Sequence, residues 1–246
     1  MRAMSSAITY LTMPENAKIL NRLLKALPEK DYLQCFKKLE RVELVYGDTI
    51  YETGAVIKHV YFPESGIVSL LSTVEEQSTL EVGIVGSEGM LGLPVFLGVK
   101  TSNNLALVQG VGTAMRMTTA DFLTECASGE EFTRILKRFT HSLMTQTAQS
   151  AACNRYHPID ARMARWLLMT HDRMRTGKFQ ITQEFLSNMV GVRREAVNKA
   201  ARSFHDQGLI SYKRGKLSIL DLKGLKVIVC DCYKVISKNS PDYKKN

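Results

Sequence analysis

From Val42 to Met117 the sequence breaks into six short runs rich in β-branched and aromatic residues: Val42–Ile50, Val56–Phe62, Gly66–Ser72, Leu80–Val85, Leu105–Gln109 and Ala114–Met117. Ten of the sixteen glycines fall between Gly47 and Gly112, mostly between those runs. Glycine adopts positive φ without a Cβ clash, so short strands joined by glycine turns predict a small antiparallel barrel or sandwich, here a jelly roll. Residues 18–40 read as helical, with Ile19, Leu20, Leu23, Leu24 and Leu27 at helical spacing and Pro28 opening a second short helix.

After Met117 the period becomes helical. Between Glu130 and Cys153 apolar residues recur at Phe132, Ile135, Leu136, Phe139, Leu143 and Met144. Such a helix runs roughly 36 Å, longer than one small domain needs. Phe132, Ile135, Phe139, Leu143 and Met144 are therefore expected to form the seam of a homodimer, with Ala148, Ser150, Ala151 and Ala152 permitting close helix approach. An internal core helix is the alternative. Asn154 to Pro158 should break the helix, because the residue before a proline disfavours helical geometry. The expected organisation is α+β: an N-terminal antiparallel domain over residues 1–129, a dimerisation helix over 130–153 and a C-terminal domain over 154–246.

Charge divides along the same line. Residues 1–153 hold 14 Lys and Arg against 16 Asp and Glu, whereas 154–246 hold 19 against 8, so nets of −2 and +11 make up the overall +9. A basic C-terminal third suits a polyanion, with nucleic acid, an anionic membrane surface and plain solubility as the open readings.

The segment from Ile181 to Phe204 decides among them. It reads as two short helices joined at Gly191. Thr182 can cap the first, Ser187 is small where helices cross, and Val197, Ala200, Ala201 and Phe204 give the second one apolar face. Glu195, Asn198, Lys199 and Arg202 point the other way, and Arg194 stands on the first turn, the end that enters a major groove in a helix-turn-helix. Arginine can bond guanine O6 and N7, glutamate can accept from cytosine N4, and lysine can reach guanine or phosphate. The expected base contacts are Arg194, Glu195, Asn198 and Lys199. Two strand runs around Arg214-Gly215 then predict a wing, and Thr182, Arg193, Arg202, Lys213, Arg214 and Lys216 are the expected phosphate contacts on double-stranded DNA.

These residues, above all Gly191 to Lys199, resemble the Crp/Fnr superfamily of bacterial regulators, and the resemblance extends over nearly the whole chain, including Tyr61 to Leu71 and Val85 to Gly98. It implies a cyclic-nucleotide-binding-like jelly roll, a dimer helix and a winged helix, base reading by Arg194, Glu195 and Lys199, and RNA polymerase as a further partner. One position departs from the pattern: the usual capping serine or threonine before the arginine is Arg193, which cannot accept helix N–H groups.

Other expectations are negative. Members that bind cyclic AMP carry a Gly-Glu-Leu turn and an arginine clamp for the phosphate; here the turn is Gly92-Leu93-Pro94, and Arg116 is the only arginine between Val42 and Thr133. The effector is left open and is not expected to be cyclic AMP. An iron-sulfur cluster needs several N-terminal cysteines, and only Cys35 precedes residue 126. Cys230 and Cys232, a close pair without a neighbouring histidine, are read as packing, so neither cofactor nor metal is expected. His59 is the only histidine of the β-rich region, and no catalytic constellation presents itself, which argues against an enzyme. Apolar runs are too short for a membrane span and free thiols suit a reducing compartment, so the expected location is cytoplasmic. A ligand-binding sensor module without a direct DNA role is the alternative function.

Overall fold

The computed structural model of the chain describes residues 10–11, 19–75, 78–241 and 243. In chain order the elements are β1 (Tyr10–Leu11), α1 (Arg22–Lys25), α2 (Glu29–Phe36), β2 (Glu40–Leu44), β3 (Thr49–Tyr51), β4 (His59–Pro63), β5 (Ile67–Glu75), β6 (Ser78–Val85), α3 (Leu93–Phe96), β7 (Leu105–Gly110), β8 (Gly112–Thr118), α4 (Thr119–Ser128) and α5 (Glu130–Tyr156). They continue with α6 (Ile159–Met174), β9 (Lys178–Gln180), α7 (Gln183–Val190), α8 (Arg194–Asp206), β10 (Ile210–Lys213), β11 (Lys216–Ile219), α9 (Leu222–Ile228) and α10 (Cys232–Lys238). The class is α+β, with antiparallel sheets first, a long helix between and a helical domain with a small sheet last. Among the described residues no helix is long and apolar enough to cross a membrane.

Two compact units divide the chain, residues 1–68, 85–140 and 242–246 in one, 69–84 and 141–241 in the other. The first contains a four-stranded sheet in the order β1-β2-β8-β4, with Val42 opposite Ala114 and Tyr61 opposite Arg116. In the same unit β3 pairs antiparallel with β7, Thr49 opposite Leu107, in a second sheet. The run Val42–Ile50, read as one strand, is two strands in different sheets. Gly47, at φ +86°, turns the chain between them and donates its N–H to the carbonyl of Val108 at 2.9 Å. The stretch 18–40 is likewise less helical than expected: only α1 and α2 form, with Asn21 capping α1 by accepting from the Leu24 N–H at 3.1 Å.

The core of this unit gathers Phe62, Phe122 and Phe132, whose ring centroids lie 5.8 to 6.5 Å apart. Each is fully buried, worth about 1.5–3 kcal/mol apiece against exposure. Ile135 and Phe139 are buried too, at 0% and 3% exposure. Three of the five expected dimer-seam residues, Phe132, Ile135 and Phe139, thus serve the chain's own core. Leu143 is half-buried, and Met144 alone is well exposed, at 67%.

The second unit is organised on α6, whose Met163, Ala164, Trp166, Leu167 and Leu168 are buried. Leu186, Met189 and Val190 of α7, Val197, Ala200 and Phe204 of α8, Leu217 of β11 and Leu225 of α9 supply the rest of the apolar interior. The β5–β6 hairpin is fixed to α5 by Gln146, which accepts from the Ile84 N–H at 3.0 Å and donates to its carbonyl at 3.2 Å. Buried Glu81 of β6 accepts from Ser69 Oγ at 2.6 Å and from the Trp166 indole at 3.1 Å. Burial pushes its carboxyl up to about 8, although those two donors and Arg165 pull it down. Glu81 therefore carries its proton at neutral pH.

Candidate nucleic-acid interface

α7 begins where Thr182 accepts the N–H of Phe185 at 3.1 Å, and ends at Gly191, at φ +66°. Left-handed geometry is costly for a side chain, and here a Cβ would also stand 2.5 Å from Leu80 Cδ1. Buried Arg162 of α6 completes the turn: its Nη2 donates to the carbonyl of Val190 and, at 3.1 Å, to that of Gly191. A guanidinium on the last carbonyls of α7 satisfies orphan acceptors and opposes the negative end of the helix dipole. Sequence reasoning passed over Arg162. The available signal was a charged residue inside the apolar stretch Ala161 to Met169.

α8 starts at Arg193, which occupies the cap position without a side-chain cap hydrogen bond, as the missing serine or threonine foretold. Its buried face is Val197, Ala200, Ala201 and Phe204. Arg193, Arg194, Glu195, Lys199 and Arg202 are exposed. Asn198 differs from them: it is half-buried, and its Oδ1 is enclosed without a hydrogen-bond partner.

The small sheet has the order β10-β11-β9, with Lys213 opposite Lys216 across a two-residue turn. Both turn residues have positive φ, +51° at Arg214 and +75° at Gly215, the geometry whose twist matches a tight hairpin. Arg214 is a non-glycine residue in left-handed geometry, which holds its side chain at the wing tip beside exposed Lys213 and Lys216. Tyr212 ties the wing back by donating its hydroxyl to the carbonyl of Ile181 at 2.9 Å. A cleft of about 370 Å³ opens between the start of α7, the start of α8 and the wing, lined by Thr182, Gln183, Glu184, Arg194, Tyr212, Arg214 and Gly215. Two guanidinium groups and the amino end of a helix face it, an arrangement suited to a phosphate.

In the other unit, the Gly92-Leu93-Pro94 turn is bonded within the chain. Gly92, at φ +90°, precedes α3 and donates its N–H to the hydroxyl of Tyr51 at 3.3 Å. Burial pushes the Tyr51 hydroxyl up to about 12, so it stays neutral. A nearby cleft of about 210 Å³, lined by residues including Tyr51, Lys58, His59 and Tyr61, is smaller than the ~300 Å³ at which ligand pockets usually begin.

Residues 161–228 match the family model of the Crp-like helix-turn-helix domain. Among solved structures, a Crp/Fnr-family transcriptional regulator from Eubacterium rectale is 17% identical with a TM-score of 0.65, covering 84% of this chain and 97% of that one. FixK2 from Bradyrhizobium japonicum is 13% identical with a TM-score of 0.66, covering 78% of this chain and 98% of that one. The regulator CLP of Xanthomonas campestris, described as responsive to c-di-GMP, is also 13% identical with a TM-score of 0.66, covering 79% of this chain and all of that one. Against curated protein sequences the chain finds no match. The likeness to these structures is one of fold: antiparallel β sheets, a long helix and a winged helix-turn-helix. More particularly, residues 161–228 are similar to the Crp-like helix-turn-helix domain, and most of the chain is similar in fold to a Crp/Fnr-family transcriptional regulator.

Proposed function

We propose that this chain regulates transcription as a homodimer that reads a palindromic operator. The observation that carries the reading is the exposed set Arg194, Glu195 and Lys199 on α8, at the edge of a cleft that also holds Arg214 of the wing. α8 enters the major groove with Arg194 and Glu195 on base edges and Lys199 on guanine or phosphate, while Asn198, half-buried, makes a lesser contact. Thr182, Arg193, Arg202, Lys213, Arg214 and Lys216 hold the backbone, and the phosphate nearest the wing sits in the cleft. Residues 1–129 act as the sensor, 130–153 as the dimer helix and 154–246 as the DNA-binding domain.

The dimer face follows the exposed part of α5 rather than its first turns. His141, Met144, Ala148, Ala151, Ala152 and Arg155 are all exposed and recur at helical spacing. Small residues at that seam let two helices approach closely. Cyclic AMP is not the effector, since the Gly92 turn is bonded to Tyr51 and no arginine lines the nearby cleft. RNA polymerase is the partner at target promoters. Selection from randomised duplexes with the full chain tests the reading: it should return a twofold palindrome with half-sites about ten base pairs apart, centre to centre. Recovery of sequences without common bases would overturn it.

A further inference from the structure

Four potential metal ligands from distant parts of the sequence meet at the end of α5. Cys153 lies on its last turns, His157 follows it by four residues, and Cys230 and Cys232 flank Asp231 where α9 gives way to α10. Their three sulfurs and one imidazole nitrogen all lie within 4.8 Å of one another. Cys153 Sγ stands 3.5 Å from Cys230 Sγ, and Cys232 Sγ stands 3.4 Å from His157 Nδ1. All five cysteines of the chain are free thiols.

We propose that Cys153, His157, Cys230 and Cys232 form a structural zinc site. Zinc bound tetrahedrally, at about 2.3 Å to sulfur and 2.0–2.1 Å to nitrogen, sets its ligands about 3.5–3.8 Å apart, near the separations found here. Three thiolates and an imidazole are a soft to borderline set that rejects magnesium and calcium, and four protein ligands leave no open position for catalysis. An iron-sulfur cluster divides its four ligands between two or more irons and needs the set spread more widely than this.

Local structure supports the assignment. The backbone bond from the His157 N–H to the Cys153 carbonyl, 3.1 Å, keeps that pair on one face of the helix end, and the Tyr233 N–H bond to the Cys230 carbonyl, 3.1 Å, shapes the other pair. Gln149 Nε2 donates to Cys232 Sγ at 3.1 Å, the outer hydrogen bond typical of a thiolate ligand. Three thiolates leave the loaded site with one negative charge, and the guanidinium of Arg165 acts electrostatically on Cys153. Cys153 and Cys232 are buried, while His157 and Cys230 are half-exposed and provide the entry path. Bound zinc joins the end of α5 to α10 and closes residues 158–229, the whole helix-turn-helix and wing, into one loop. Along the sequence Cys230 and Cys232 have no histidine beside them; the fold brings His157 and Cys153 to them.

The test uses the full chain without a histidine tag, purified under reducing conditions. Elemental analysis should find about one zinc per chain, retained in Cys126→Ser, which lies outside the group, and lost in Cys153→Ser and Cys232→Ser. Chelation should lower the thermal midpoint and added zinc should restore it. Cobalt(II) offered to the wild-type chain should give the visible absorption of a tetrahedral thiolate site, and His157→Cys, which keeps four ligands, should still take it up. That titration stands even where a cysteine variant fails to fold. A reduced, folded chain that holds no zinc and gives no such cobalt spectrum would refute the site.

Discussion

Arg194 and Arg214 face one cleft, yet different consequences follow from removing each. Arg194 stands on the first turn of α8, and on the proposed reading it contacts base edges, so Arg194→Ala should cost about 1–3 kcal/mol at the selected operator and relax preference at one base pair. Binding to the operator and to single-base variants, followed by fluorescence anisotropy, checks this; equal losses on every sequence would make Arg194 a phosphate contact. Arg214 holds left-handed geometry that glycine adopts freely. Arg214→Gly should therefore raise the thermal midpoint slightly while weakening all DNA sequences alike and reducing the slope of log affinity on log salt by about 1. A drop in stability would show that the Arg214 side chain supports the wing.

Among the elements, the β5–β6 hairpin and α6 share a titrating contact. Glu81 is protonated in the folded chain up to about pH 8, whereas an unfolded glutamate loses its proton near its ordinary value, ~4.3. The folded state binds the extra proton, so stability falls as pH rises from the ordinary carboxylate range to about 8, and is highest below it. Arg165 and Arg173 act on the same carboxyl, and Ser69 and Trp166 donate to it. Glu81→Gln keeps an acceptor for Trp166 and should flatten the pH dependence of urea unfolding across that window; an unchanged slope would mean that other groups produce it. A second element contact is Arg162 on the end of α7, where Arg162→Met would leave two carbonyls without their donor. That substitution should destabilise the helix-turn-helix by about 1–3 kcal/mol, read from unfolding monitored by the single tryptophan, Trp166, on the same helix.

At the scale of the whole molecule, the proposed dimer face on the exposed part of α5 can be tested apart from the buried part that serves folding. Met144→Asp with Ala148→Glu, both on the exposed stretch, should give a folded monomer by sedimentation that no longer prefers a palindrome. Ile135→Asp, on the buried stretch, should lower the thermal midpoint sharply, because it places a charge in the unit's own core. A dimer that survives the first pair would move the interface elsewhere. The period of the hydrophobic pattern was enough to find α5, α7 and α8, because a helix declares its buried face through neighbours three and four residues away. The same rule exposed Val197, Ala200 and Phe204 as core and left Arg194, Glu195 and Lys199 outside. Arg193 without a cap bond was legible as well, since capping depends on one side chain and the adjacent backbone.

What the pattern left open were choices between two burial partners. Periodicity shows that Phe132, Ile135 and Phe139 share an apolar face, but not whether a partner helix or Phe62 and Phe122 cover it; only the packed chain assigned them to its own core. Similarly, Val42–Ile50 looked continuous because both halves are β-rich, and the turn at Gly47 appeared only with Val108 in place to accept its N–H. Arg162 and Tyr51 find their acceptors and donors far along the chain, at Val190 and Gly92. The sequence by itself determined the order of β and helical segments, the basic C-terminal third and the outward face of α8, all of which depend on near neighbours or on composition. The tertiary structure alone brought Cys153 and His157 to Cys230 and Cys232, because pairing across more than seventy residues is set by how α6, α9 and α10 pack and not by any local spacing.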